Sequence, residues 1–309
     1  MTAGNSRHDL RRWLGLRGAQ EVVHFEVESV EHEAAFERRR IRYASHDGAA
    51  IPAFLLVPHG LRAPTAAVLV HHQHAGQRHF GKSEVCGLVG DPLQAFGPAL
   101  AARGIVVLAP DSICFEDRRT GCTGTEPHAN DWQQHYNEMS YRLLRGDTLL
   151  RQVLEDAEVA LSVVAGLPWV DRTRIGIAGH SYGGNTVLFQ AALDDRVRYA
   201  CTSGALCSFR TKMQHGTGIE LALAVPGLLD QLEVDDLVRC CAPRPLLVVS
   251  ASDDEYARDA PEMVRLAAPS YAALSATAAL ELAHYEGGHA LTPARFERIV
   301  TWLQERAAL

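Results

Sequence analysis

The 309-residue sequence lacks any uninterrupted apolar stretch of about 18 residues, the length needed to span a bilayer. Its first residues, Met1 to Arg12, contain no apolar core of the kind a secretory signal carries. A membrane-spanning segment and export by a signal peptide are therefore not expected, and the expected compartment is the cytoplasm. The sequence also lacks an excess of positive charge, since 30 Lys and Arg stand against 37 Asp and Glu for a formal charge of -7. Nucleic acid and anionic membranes are accordingly not expected as partners. No CxxC pair occurs among the seven cysteines Cys86, Cys114, Cys122, Cys201, Cys207, Cys240 and Cys241. An odd set of thiols, several in apolar surroundings, fits free buried cysteines in a reducing compartment. No linker rich in Pro, Gly or Ser, no internal repeat and no low-complexity tract divides the chain.

What is present is ordinary for a globular protein, with 47% hydrophobic and 22% charged residues. A chain of this length buries about 75% of its unfolded surface, so its core needs no disulfide or metal. Between Phe36 and Pro58 an Arg-rich alternating run and Ile51 to Val57 flank the turn-forming His46-Asp47-Gly48, which predicts an antiparallel hairpin. Short apolar runs follow at Ala66–Val70, Ile105–Ala109, Arg174–Ala178, Tyr199–Ser203, Pro245–Ser250 and Leu280–Tyr285. Continuous apolar runs of this length are what strands of a parallel sheet look like when helices cover both faces. Leu149–Leu167 and Pro293–Ala308 carry helical spacing between them. The expectation is an α/β fold with a mostly parallel sheet of about eight strands. A helical or extended arm, residues 1–35, would precede the domain of residues 36–309. Lid-like insertions are expected at about 112–145 and 208–239.

The strongest local signal is Gly179-His180-Ser181-Tyr182-Gly183, a GxSxG pattern with a buried strand before it and a helix after it. In that context a serine is held in a strained turn that exposes its hydroxyl, and the glycines let strand and helix pass closely. A serine hydroxyl is a poor nucleophile at neutral pH and needs a histidine base with a carboxylate to orient it. Downstream, one strand run ends in Asp253-Asp254 and the next in Glu286-Gly287-Gly288-His289. Either aspartate has suitable spacing. His284 competes with His289, but it lies inside a strand run and reads as a packed or hydrogen-bonded residue.

These motifs in this order resemble the α/β-hydrolases, from about residue 36 to the C-terminus, and within them the dienelactone-hydrolase and acetyl-xylan-esterase-like branch. Gly146-Asp147-Thr148 before a helix carrying Glu155-Asp156 adds to the likeness. The resemblance implies a Ser181-Asp254-His289 triad and an oxyanion hole formed by the amides of Tyr182 and His74. Related chains carry His-Gly where this one reads His72-Gln73, so Gln73 stands as the alternative donor. His72, Gln73, Glu116, Arg118 and Tyr141 are the expected substrate-binding residues, although Glu116 to Arg119 also reads as a self-paired charge cluster.

Histidines 71, 72, 74 and 79 could share a metal with Asp111, but no HExxH-like spacing supports it, and we expect neither metal nor cofactor. The expected activity is hydrolysis of a carboxylic ester of a small molecule through an acyl-enzyme. A transferase, thioesterase, lactonase, peptidase or carbon-carbon hydrolase would use the same triad, and a silent small-molecule binder could keep the pocket. The sequence leaves a homodimer open.

Overall fold

The computed structural model describes residues 3–20, 23–61 and 64–309. Residues 1, 2, 21 and 22 of the expected N-terminal arm lie outside the described residues. Nine strands form one sheet: β1 (Phe25–His32), β2 (Phe36–Ala44), β3 (Ala50–Pro58), β4 (Thr65–His71), β5 (Val106–Pro110), β6 (Val170–His180), β7 (Tyr199–Ser203), β8 (Leu246–Ala251) and β9 (Leu280–Tyr285). Their order is β1-β2-β3-β5-β4-β6-β7-β8-β9. Pairings from β1 through β3 to β5 are antiparallel, and every pairing from β5/β4 to β8/β9 is parallel.

The expected hairpin is β2 and β3, closed at Ala44 opposite Ala50. Gly48 takes φ +83 in its turn, where the Asp47 carboxylate accepts from the Ala49 amide. The strand beyond the expected eight is β1. Its sequence FEVESVEH leaves nearly every position exposed, so no apolar alternation marks it. It is held by its ladder to β2 and by charge pairs, with Glu28 meeting both Arg40 and Arg42 across the strands. β6 is longer than the apolar run Arg174–Ala178 because its polar start also reaches β4, where Val170 lies opposite Thr65.

The inner parallel strands, β5, β4, β6, β7 and β8, are buried on both faces along their apolar runs, with alternate residues entering two cores, while the edge strand β9 is only partly covered. Leu69, Ile177 and Val248 join the helices Leu149–Gly166, Tyr182–Leu193, Val234–Cys241 and Ala260–Ala273 on one side. Val68, Ala178 and Val249 join Phe96–Ala101 and Pro293–Ala307 on the other. Among the described residues no helix is long and apolar enough to cross a membrane. Because β4, β6, β7, β8 and β9 run in parallel, their C-terminal ends and the loops after them gather along one edge of the sheet, which is where an open α/β sheet binds ligands.

Candidate active site

β6 delivers Ser181 to that edge in a tight turn with φ 55 and ψ -119, a backbone conformation rare for a residue with a Cβ. The helix Tyr182–Leu193 starts directly after it. Small neighbours make this crossing sterically feasible. A Cβ on Gly183 would lie 2.2 Å from the His71 carbonyl oxygen, one on Gly179 would lie 2.5 Å from the Gly183 backbone, and one on Gly184 would lie 2.6 Å from the Ser203 oxygen. The turn is pinned by Ser181 N donating to Ser203 O at 2.8 Å and by Asn185 N donating to Ser181 O at 3.0 Å.

Two further strand ends bring the partners. Past β8, Asp254 is buried, accepts from the Tyr256 amide at 2.9 Å and faces His289 Nδ1 at 2.9 Å. Past β9, Gly287 with φ +110 turns the chain so that His289 Nε2 lies 2.9 Å from Ser181 Oγ. A carboxylate can only accept, so Nδ1 carries the hydrogen toward Asp254 and Nε2 is left to accept from the serine hydroxyl. Burial penalises the Asp254 charge, but the hydrogen bond and charge of His289 outweigh that penalty and hold the carboxyl below its usual range. Asp253 is exposed, and its amide ties the two strand ends by donating to Gly287 O at 2.9 Å. His284 meets Ser250 Oγ at 2.8 Å but is exposed on the edge strand rather than packed in the core.

The serine and histidine open into a cleft of about 490 Å³, whose lining includes His74, Arg78, Trp132, Lys212 and Glu220. His74, on the loop after β4, accepts from Gly76 N through Nδ1 and donates through Nε2 to Glu220. Burial alone would raise the Glu220 carboxyl, but the hydrogen bond and charge of His74 outweigh it and carry the group down to about 2. An unfolded glutamate titrates near 4.3, so this pair contributes stability that is fully present above that value and is lost as pH falls from about 5 toward 2. Glu220→Gln is therefore expected to destabilise the protein at pH 7 by on the order of 3 kcal/mol. Thermal melts should show the variant and the wild type converging at the acid end of that window. A gap that stayed constant from pH 7 to 2 would remove the linkage.

The same overall fold is found in solved proteins. A Bacteroides fragilis structure provisionally named an acetyl xylan esterase superposes with a TM-score of 0.76 at 14% identity, over 92% of this chain and 74% of that one. A glucuronoyl esterase from Solibacter usitatus gives 0.68 at 13% identity, over 97% and 92%. This chain has the α/β-hydrolase fold. The acetyl xylan esterase (AXE1) family model matches residues 112–220 of it. The Bacillus subtilis protein YtaP, provisionally named a hydrolase, is 31% identical over 202 residues. That match covers 63% of this chain and 62% of YtaP, less than two thirds of the relative's length.

Of the residues expected at the site, the structure brings together Ser181, Tyr182, Asp254, His289 and His74. Five others are corrected. His72 is buried under Phe115, with Nδ1 2.7 Å from Gln73 O and Nε2 accepting from Ser112 N, and burial holds it near 3. Gln73 is also buried and donates to Glu84. Glu116 is 2% exposed and accepts from Ser83 N and Oγ and from Lys82. Arg118 is turned inward onto Asp156 at 2.8 Å. Tyr141 is 51% exposed on the helix Asp131–Leu144 and does not line the cleft.

Glu116 is turned inward by a buried cation. Lys82 is fully buried, and its ammonium meets Asp111 at 2.8 Å, Asp117 at 2.6 Å and Glu116, so the acidic run packs as an internal ion cluster rather than as a pocket wall. The histidines considered for a metal face separate partners, His71 meeting Gln190, His74 meeting Glu220 and His79 lying 4.0 Å from Asp131.

Several contributors were not anticipated from sequence. His180 lies beneath His289 with ring centroids 4.8 Å apart and Nδ1 2.9 Å from Ser203 Oγ. Burial and the neighbouring His289 keep it near 3, hence neutral. Tyr256 closes the other side of the imidazole, edge-on at 4.8 Å. Arg295 is buried and clamps the histidine loop by donating to Gly288 O, Ala290 O and Glu286 O. A signal for Arg295 existed, because it shares the apolar stripe of its helix with Ile299 and Trp302 at spacings of four and seven.

Proposed function

We propose that the protein is a serine esterase that acts through an acyl-enzyme. The observation that carries this reading is the unbroken chain from Ser181 Oγ through His289 to Asp254, both links 2.9 Å, on an elbow strained at φ 55. His289 accepts the Ser181 proton as Oγ attacks the ester carbonyl, and Asp254 steadies the imidazolium that forms. The amide of Tyr182, at the positive end of its helix, and the amide of His74 receive the oxyanion. His289 returns its proton to the leaving alcohol. Water, deprotonated in turn by His289, then releases the acid. The acetyl xylan esterase model over residues 112–220 and the esterase names of the structural relatives support an ester as substrate.

The cleft favours short acyl groups on a polar or ring-containing alcohol. Its lining mixes His74, Arg78, Asn185, Lys212 and Glu220 with Ile219 and Leu221, which is too polar for a long alkyl channel. Trp132, half exposed and stacked on Tyr136 at 5.2 Å, offers a flat face at the rim for a ring. Acetate and butyrate p-nitrophenyl esters should be turned over with higher kcat/KM than decanoate. The reverse ranking would remove this model of the pocket. A fluorophosphonate should label Ser181 stoichiometrically, and a protein that hydrolyses esters without reacting there would overturn the serine mechanism.

A further inference from the structure

Lys212 lines the cleft together with Ser181 and His289. It sits on the helix Phe209–His215, which is fixed at both ends by neighbours rather than by the ammonium. Ser208 caps the start, accepting from Thr211 N and donating to Asp259 at 2.7 Å. Gly216, at φ 67, ends the helix, and Thr217 N donates to Lys212 O at 2.9 Å. The side chain is 3% exposed and its stem is packed, with Nζ 5.9 Å from the centre of the Phe209 ring.

Among the described residues no hydrogen bond or ion pair engages Lys212 Nζ. The nearby carboxylates are taken. Asp254 holds His289 and Tyr256 N, Glu220 holds His74, and Asp259 holds Ser208 and Thr211. The contrast with Lys82, which is equally buried and meets three carboxylates, is direct. A cation removed from water is normally paired, and the space left in front of this one is the cleft that holds the nucleophile. Burial accordingly pulls the Lys212 ammonium below the usual lysine range, against the distant pull of Cys207, Glu220, Asp259 and Asp254. Arg78, the other lysine or arginine of the lining, has its Nε turned to His135.

We propose that Lys212 is a specificity-determining residue that receives a carboxylate carried by the substrate, so that the protein prefers esters bearing a negative charge on the acyl or the alcohol half. The inference rests on the esterase reading above, and it adds the class of substrate. A charge-assisted hydrogen bond in a half-enclosed cleft discriminates against the neutral analogue by about tenfold or more.

The test separates binding from turnover by measuring affinity calorimetrically in Ser181→Ala protein. Two matched pairs are compared: mono-p-nitrophenyl succinate with p-nitrophenyl butyrate, which places the charge on the acyl half, and p-acetoxybenzoate with phenyl acetate, which places it on the alcohol. In one pair the anion should bind at least about tenfold more tightly, identifying the half that faces Lys212. Lys212→Met in the same background should reduce that preference to within about twofold, whereas Lys212→Arg should retain part of it. Absence of preference in both pairs would overturn the proposal. So would a preference unchanged in Lys212→Met, which would place the anion at Arg78. Should Lys212→Met fail to fold, salt titration of the parent protein decides: anion affinity that does not weaken with ionic strength overturns the assignment. Wild-type protein that turns over no ester would refute the esterase reading while leaving this binding result to stand or fall by itself.

Discussion

Ser181→Ala is expected to lower turnover of any ester substrate by at least about three orders of magnitude while leaving the melting temperature unchanged or slightly raised. The size of the loss follows from the site's economy of parts. Ser181 Oγ is the group that His289 Nε2 faces, and its removal leaves the oxyanion donors and the cleft to act on water alone. Folding should survive because the elbow is held by backbone bonds, Ser181 N to Ser203 O and Asn185 N to Ser181 O, which alanine keeps. The φ of 55 is no worse for alanine than for serine. Stability is the informative control, since a polar nucleophile at a strained position is a common place where function costs stability. A folded variant with more than about a tenth of wild-type activity would rule out the serine as nucleophile.

The second large effect is expected at Asp254, with Asp253 beside it as the control. Asp254→Asn should reduce kcat by about 10⁴, because an amide cannot hold the imidazole in the tautomer that leaves Nε2 free to accept the serine proton, nor balance the imidazolium. The asparagine oxygen can still accept from the Tyr256 amide, so the loop should keep its shape. Asp253→Asn should leave kcat within about twofold, since that side chain is exposed and its role runs through the main chain to Gly287. Pre-steady-state measurement would show the Asp254 defect in both acylation and deacylation. A collapse of activity in the Asp253 variant, with Asp254→Asn nearly active, would reverse the assignment.

The sequence was most readable where burial is two-sided. β7 begins and ends where its apolar run does, and β4 and β8 differ by a residue at each end, because strands covered on both faces must be apolar throughout. The nucleophile was readable for a different reason, since its glycines report steric crowding that few other features require. β1 left no trace because its side chains face water on both sides and only main-chain bonds and charge pairs hold it. Polar residues were the principal source of error. His72, Gln73, Glu116 and Arg118 read as pocket groups, yet each is satisfied by a buried partner, and in the case of Arg118 and Asp156 that partner is 38 residues away. No local pattern separates a polar side chain awaiting a ligand from one already paired inside. Lys212 is the converse, a single lysine that no sequence motif singles out and that only its buried surroundings in the fold mark.

The contact between Gly183 and the His71 carbonyl bears on how the native state opens. A helix that starts against the main chain of β4 cannot loosen by a small tilt. Freeing Tyr182 requires parting it from the strand at the centre of the sheet, flanked by β5 and β6. The amides of the elbow should therefore exchange hydrogen with solvent only through global unfolding, whereas the segment 208–231, attached by short helices and side-chain caps, belongs to a less protected unit. The protein would then keep its nucleophile rigid and place its adaptable surface on the substrate side of the cleft.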